Sequence, residues 1–538
     1  MRTRPLITAV AAASLALAVT PALSGAAAAA PTTPGTPPAS SAPVAQKALD
    51  EVAALLAAHQ AGTGASDEAS DLTLALLDLR KHLPQLDAAD RRQARALLAR
   101  PDGSASATAD PTAARWTGDE RTQARSTCDD TATYGDNPFC VHWVPRYHAD
   151  GTTLTTNGSG AASRQYSTLD AVRKTVDEMK LVWNSEITQM GYAAPPGDGH
   201  LGESGLLSPS NRLDVYLADA GAAGVYGYAV PETDNVSSYG YLVLDNDFSL
   251  QQFPSSTTTS DEAREVTTAH EFFHLVQFGY DSWENAWLME STATWMEEQV
   301  HDDVDDNRQF IPAGSEKWPA KPLDTFDSAG AQYGTWVFHQ LVTEHLGTAV
   351  VRHVWEYAAQ GPTPTATQDP YVVRDNARWA LNAALTDAGS SLFREFRAFS
   401  AGGIAPSRFW SEGSAFPYAS ITRSWALGID ARSIPSGSVT VDHLAGADFK
   451  FTPKSGLDST WRIGIKVDAP NHGGTAYALV IWTDGHVTRT PIDLDSTGYA
   501  RRVLPFSSAS IRTIGLAVAN AGTGEDMKIS LAASIFRS

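Results

Sequence analysis

Hydrophobic positions follow three textures along the chain. A mostly apolar run from Leu6 to about Leu23 comes first, behind Arg2 and Arg4 and ahead of small residues from Gly25 to Ala30. A positive start, an apolar middle and an Ala-rich end predict an export signal cleaved after Ala28. The run is barely long enough to anchor in a bilayer, and no later segment is apolar for long enough to cross one. From Val44 to Leu98 the apolar residues return at three- and four-residue spacing, as in Leu49, Val52, Ala53 and Leu56 and again in Leu72, Leu76 and Leu79. That period predicts helices, separated at Gly62 and Gly64. Pro31 to Pro43 and Asp102 to Ala114 have linker composition. A helical unit between an export signal and a folded domain reads either as a propeptide or as a permanent helical module.

The next texture begins near Thr127. Phe139 to Val144, Leu213 to Leu217 and Tyr239 to Leu244 read as strands, and Ser167 to Tyr192 as an amphipathic helix. Ser260-Asp261-Glu262 opens a helix with acidic residues suited to its dipole, running to about Phe278 and stopping at Gly279. Further helices are expected over Ala286 to Val300, Tyr333 to Leu346, Ala349 to Ala359 and Val373 to Ala388. Strands first and helices after make an α+β arrangement. From about Ile434 short β-type runs follow one another between Gly, Ser, Asp and Asn: Trp461 to Val467, Ala476 to Trp482, Thr513 to Val518 and Lys528 to Ile535. These predict a C-terminal β-sandwich. The expected division is signal peptide 1–28, linker and helical propeptide-like segment 29–114, α+β domain 115–432 and accessory sandwich 433–538.

Composition sharpens this picture. A chain of 538 residues exceeds what one core usually supports. Forty basic against 61 acidic residues leave a net charge of −21, which argues against nucleic acid or an anionic membrane as the main partner. Solubility explains the acidity; bound calcium is the other reading, because hard cations prefer carboxylate oxygens. The two cysteines, Cys128 and Cys140, read as a disulfide in an exported protein, closing a short loop for roughly 3 kcal/mol of stability. A soft-metal site would want a closer spacing or a second pair.

His270-Glu271-Phe272-Phe273-His274 is an HExxH pattern on an expected helix. Histidines at i and i+4 project from one face and can share a tetrahedral zinc ion, while Glu271 can take a proton from the acidified metal-bound water. A metzincin would need Gly at position 277 and His at 280, where this chain has Gln277 and Tyr280. The third ligand is sought on the next helix. Glu290 lies there among apolar residues, where a lone carboxylate is costly unless paired or metal-bound. Asp281 and Glu284 are the fallbacks on the connecting loop, and Glu297 and Glu298 are expected to be solvated.

HExxH followed by Glu-x-x-Ala on the next helix resembles the gluzincin clan of zinc metallopeptidases, which includes thermolysin-like and aminopeptidase-type enzymes. More narrowly, His270 to Asp281 and Trp287 to Glu297 are similar to a group of secreted bacterial metalloprotease-like proteins with an HEFFH helix and a W-L-x-E-x-x-A-T-W helix. The resemblance covers about residues 127 to 360. It implies a zincin-like fold, one catalytic zinc and peptide hydrolysis. The interval from His274 to Glu290 is a few residues shorter than in the thermolysin-like and aminopeptidase-type branches, which leaves the subfamily open. A gluzincin also needs an oxyanion donor. Tyr333, in Tyr333-Gly334-Thr335-Trp336-Val337-Phe338, resembles the Tyr-containing segment of aminopeptidase-type members without its Glu-Lys pair; a packed aromatic is the alternative. His339 and His345 are lesser candidates. Zincins hold substrate on an edge strand, and Tyr239 to Leu244 is the expected one.

Asp302, Asp303, Asp305, Asp306 and Asn307 form an acidic cluster that lacks the EF-hand spacing, so a solvated turn competes there with structural calcium. The functional expectation is a secreted, monomeric zinc endopeptidase acting on protein or peptide substrates, with no nucleic-acid or membrane partner after signal cleavage. The alternative is a secreted binding protein on the same scaffold, acting through its β-domain.

Overall fold

The computed structural model describes residues 42–60, 71–103, 116, 118–155, 163–199, 201, 211–254, 256–362, 374, 376–470 and 472–538. The export signal, Gly62, Gly64 and the 104–115 stretch lie outside these residues. Among the described residues no helix is long and apolar enough to cross a membrane.

The expected helical texture near the N-terminus resolves into three helices: α1 (Ala42–Gln60), α2 (Asp71–His82) and α3 (Ala88–Leu97). Asp87 caps α3 by accepting from the backbone N–H groups of Ala89 and Asp90. After the short α4 (Gly118–Gln123) comes the first sheet, built from β1 (Arg125–Ser126), β2 (Phe139–Trp143), β3 (Leu213–Ala218), β4 (Gly227–Pro231) and β5 (Gly240–Asp245). Its order is β1-β2-β3-β5-β4; β2, β3 and β5 are parallel, and β1 and β4 close the edges antiparallel. Cys128 and Cys140 form the expected disulfide, with Cα atoms 5.4 Å apart, and tie the turn after β1 and the short α5 (Thr131–Tyr134) to β2.

Strands β2 to β5 are buried at every residue, as a sheet covered on both faces requires. Val215, Leu217, Leu242 and Leu244 join the large core formed with the helices that follow. On the other face Tyr216, Tyr228, Tyr241 and Val243 pack with Leu49 and Val52 of α1 and Leu72, Leu76 and Leu79 of α2. The N-terminal helices therefore complete the sheet's second covering layer.

The strand expected at the edge, Tyr239 to Leu244, is β5 and lies inside the sheet. The edge is β4, which folds back antiparallel beside it. Gly240 makes that close pairing feasible, since a Cβ there would stand 2.3 Å from the Val230 carbonyl oxygen.

Helix α6 (Leu169–Trp183) is capped by Thr168 and continues into a π-helical turn at Asn184–Gln189. Next is α7 (Ser260–Asp281), opened by a capping box in which Thr259 and Glu262 satisfy each other's backbone N–H groups. It runs through Gly279 instead of stopping there. A Cβ at Gly279 would stand 2.9 Å from Pro196, so this glycine admits a neighbouring segment and does not cap the helix. Asn285 caps α8 (Ala286–Val300). The helix expected from Tyr333 divides into α9 (Ala331–Gly334) and α10 (Trp336–Leu346), followed by α11 (Ala349–Ala358) and the helices Ala377–Asp387 and Leu392–Gly402.

Two sheets complete the chain: β11-β10-β13-β8-β6 and β12-β9-β14-β7. Their strands are β6 (Arg423–Leu427), β7 (Gly437–Val441), β8 (Ala445–Pro453), β9 (Trp461–Asp468), β10 (Gly474–Trp482), β11 (Val487–Ile492), β12 (Tyr499–Pro505), β13 (Ile511–Asn520) and β14 (Met527–Arg537). Phe449, Phe451, Ile463, Ile465, Val480, Leu516 and Ile529 share the core between them. Leu479, Ala517 and Ala519 point the other way and join the large helical core. The whole is the mixed α+β architecture expected, with a mixed sheet, a helical middle and all-β sheets at the C-terminus.

Candidate metal centre

Helices α7 and α8 are buried without a break over 268–278 and 287–298, which puts the polar side chains of those stretches inside the protein. His270 and His274, one turn apart on α7, bring their Nε2 atoms to 3.1 Å from each other. Glu290 on α8 reaches both: Oε2 lies 3.2 Å from His270 Nε2 and Oε1 lies 3.6 Å from His274 Nε2. Ligand atoms bonded at 2.0–2.1 Å to a tetrahedral ion stand about 3.3 Å apart. The three separations bracket that value.

The proton positions fit the same ion. His270 Nδ1 faces Glu297 Oε1 at 2.6 Å, and a carboxylate only accepts, so Nδ1 carries the hydrogen. His274 Nδ1 faces Gln277 Oε1 at 2.7 Å, while the Gln277 amide donates to the Met289 carbonyl and to Thr292 Oγ1. Both imidazoles thus turn Nε2 toward Glu290, the orientation that supporting partners impose on ligating histidines, whose Nε2 must give up its hydrogen to hold a metal. Glu290 is fully buried and its Oε1 has no hydrogen-bond partner, an orphaned acceptor that a cation would satisfy. The buried His270, His274 and Glu290 together could hold a metal ion.

The electrostatics follow from burial. Burial alone would lower the His270 pKa, but its bonds to Glu290 and Glu297 raise it well above the usual histidine value. Burial opposes ionisation of Glu290, yet His274 and His270 more than offset it and its pKa falls. Glu297 titrates above its ordinary range, chiefly because it is buried. Glu297 was expected to be solvated; instead it is buried and orients a ligand. Glu298 is also buried, bonded to Asn307 Nδ2 at 2.7 Å.

Glu271 points off the metal-facing stripe. Its Oε2 accepts a hydrogen bond of 2.8 Å from Thr73 Oγ1, on α2 of the N-terminal unit. The same hydroxyl accepts from the backbone N–H of Ala229 on the edge strand β4, at 2.9 Å. Burial raises the Glu271 pKa. Tyr333 is buried with its ring centroid 6.4 Å from that of His270 and 5.1 Å from that of Phe310. Glu186, on the π-helical turn, is fully buried with neither oxygen hydrogen-bonded, and it senses the charge of His270.

The fallback ligands go elsewhere. Asp281 ends α7 in an ion pair with Arg374, Nε to Oδ2 2.8 Å. Glu284 is buried but outside the cluster. His339 bonds Ser291 Oγ at 2.9 Å, burial depressing its pKa to about 3, and His345 pairs with Glu395. From the acidic stretch only Asp302 joins a group, with Glu298 and Glu412. Arg308 already supplies a cation there, bridging Asp305 and Glu412. Cys140, His142 and Asp214 also converge, but the sulfur is bonded to Cys128 and Asp214 is paired with His142 and Arg100.

Residues 253–389 match a family of unknown function (DUF6055), a stretch that contains both histidines and Glu290. No curated protein matches the chain. A solved structure described as "a novel family GH115 4-O-Methyl-alpha-glucuronidase, BtGH115A, with specificity for decorated arabinogalactans" aligns at 10% identity, covering 62% of this chain and 56% of its own. Its TM-score of 0.14 is too low to indicate a common fold.

Proposed function

We propose that this chain is an exported zinc-dependent peptidase in which His270, His274 and Glu290 hold the ion and Glu271 is the general base. The observation that carries this is the convergence of two Nε2 atoms and one buried carboxylate, 3.1–3.6 Å from one another, with both Nδ1 atoms anchored behind them. Two imidazole nitrogens and one carboxylate are the protein ligand pattern of catalytic zinc, whose fourth position is left to water or substrate. When bound, zinc supplies Lewis acidity that acidifies water and polarises a carbonyl.

The chain's own residues supply positioning and proton transfer. Glu271, whose Oε2 is held here by Thr73 Oγ1, takes the proton of the attacking water in Thr73's place as the new C–O bond forms. The same carboxylate returns that proton to the amide nitrogen as the C–N bond breaks. Glu297 and Gln277 keep each imidazole in one tautomer. We assign Tyr333, packed beside His270, as the donor to the carbonyl oxygen that gains charge. An extended peptide would add along the outer edge of β4 in place of the contacts that Thr73 and Arg80 now make there. Export follows from the sequence of residues 1–28, and the disulfide suits an oxidising compartment. The intact Glu271 beside the ligand set favours catalysis over a binding role for the scaffold.

Glu271→Gln tests the assignment. Gln is nearly isosteric and touches no metal, so zinc content should stay at that of the parent while turnover of a peptide library falls by about 10²–10⁴-fold. Near-normal turnover would show that this motif is not the catalytic centre.

A further inference from the structure

Helix α2 lies along the outer edge of β4 and joins the cores on both faces of the sheet. Thr73, Leu77 and Arg80 fall on one stripe of the helix, at i, i+4 and i+7. Two of them cap the outward backbone groups of the strand. Thr73 Oγ1 takes the Ala229 N–H, and Arg80 Nε donates to the Pro231 carbonyl at 3.0 Å. Ala229 and Pro231 are two residues apart on β4, so both point away from β5 toward the position an added strand would occupy. Leu74 and Leu77 enter the large core, while Leu72, Leu76 and Leu79 enter the core on the sheet's opposite face.

The unit is also locked at its end. Arg100 is 1% exposed and grips Glu232 through both Nε and Nη2, with Nη1 and Nη2 also on Asp214 and Asp198. Tyr241 Oη donates to the Leu98 carbonyl beside it.

We infer that α2 is a built-in inhibitor: it occupies the strand-addition edge of β4, and Thr73 holds the Glu271 carboxylate, so the site is closed while the N-terminal unit stays docked. A helix that merely shielded a sheet edge would need the contacts to Ala229 and Pro231 only. The hydroxyl bond to Glu271, across 198 residues of sequence, is the part that touches the proposed chemistry. This regulation rests on the peptidase reading, but the closure of the cleft is measurable without it. A site open only part of the time loses apparent activity in proportion to its closed fraction.

The experiment compares the full-length chain with Leu77→Asp, which places a charge where α2 meets the large core, and with Thr73→Val, which keeps the shape and removes both hydroxyl bonds. Hydrogen exchange of residues 227–231 reports the edge, and hydrolysis of a quenched peptide library with equimolar zinc reports activity. Leu77→Asp should speed exchange of that strand and raise turnover, each by about tenfold or more, with Thr73→Val moving both in the same direction by less. Unchanged exchange at 227–231 in both variants overturns the inference, as does equal and measurable turnover in all three proteins. Faster exchange with no hydrolysis in any form upholds the occlusion and counts against the peptidase reading instead. Should Leu77→Asp fail to fold, Thr73→Val decides on the same two readouts.

Discussion

Replacing Arg100 with Met should loosen the N-terminal unit more than any other single change. The guanidinium sits among three carboxylates whose side chains are 0–4% exposed: Asp198, Asp214 and Glu232. Met preserves most of the apolar volume and supplies no donors. Asp214 would keep its bond to His142 Nε2 at 2.7 Å, but Glu232 would lose a two-point contact and Asp198 its ion pair. Removing one partner of a buried ion pair costs about 3–5 kcal/mol, because the remaining charges stay out of water. At about 1.4 kcal/mol per factor of ten, that raises the opening equilibrium of the unit by roughly two to three and a half powers of ten. Native-state hydrogen exchange resolves the effect by segment. Protection of residues 71–82 should fall by that factor, while protection of residues in β13 and β14 should change far less. If protection over 71–82 stays within about 1 kcal/mol of the parent, Arg100 is not the clamp and the reasoning from buried charge fails.

Two further outcomes follow from groups that the ligand triad does not include. Glu297→Ala leaves His270 Nδ1 without its acceptor, and loss of such a supporting bond typically weakens metal affinity about 10–100-fold; competition with a zinc chelator measures it, and an unchanged affinity would remove Glu297 from the site. Glu316 and Asp448 are buried with no hydrogen bond to any of their carboxyl oxygens; burial holds the Glu316 pKa at about 8, and burial together with Glu316 pushes that of Asp448 well above its usual range. In the unfolded chain both ionise near about pH 4, so between there and about pH 8 the folded protein binds more protons than the unfolded one. Stability should therefore fall as pH rises through that window, by about 1.4 kcal/mol per pH unit for each group, and Glu316→Gln should flatten the slope and raise the melting temperature near pH 8. An identical slope in the variant would contradict this.

Much of the centre was legible because helix geometry is local. Bringing His270 and His274 together needs only a 3.6-residue period, and Glu290 stood out as a carboxylate among apolar residues. Glu297 did not, because a charge near a helix end looks solvated until the neighbouring elements that bury it are known. Strand β4 was missed for a similar reason: five residues between Gly227 and Pro231 carry little periodicity, and only pairing with β5 makes them an edge. Gly279 resembles a helix stop in sequence, but its role is set by Pro196, far away along the chain. The Thr73–Glu271 bond has no sequence signal at all, since a threonine in an amphipathic helix is unremarkable until the fold brings it 198 residues forward.

The peptidase reading stands or falls on whether His270, His274 and Glu290 form one zinc site. The most direct measurement is anomalous diffraction at the zinc edge on crystals of the full-length protein, paired with elemental analysis of the same protein and of Glu290→Gln. One zinc per chain is expected, within about 2.0–2.2 Å of both Nε2 atoms and a Glu290 oxygen, with reduced zinc retention in the variant. Protein equilibrated with zinc that shows no anomalous peak between α7 and α8, or that keeps its full zinc content without the Glu290 carboxylate, would contradict it.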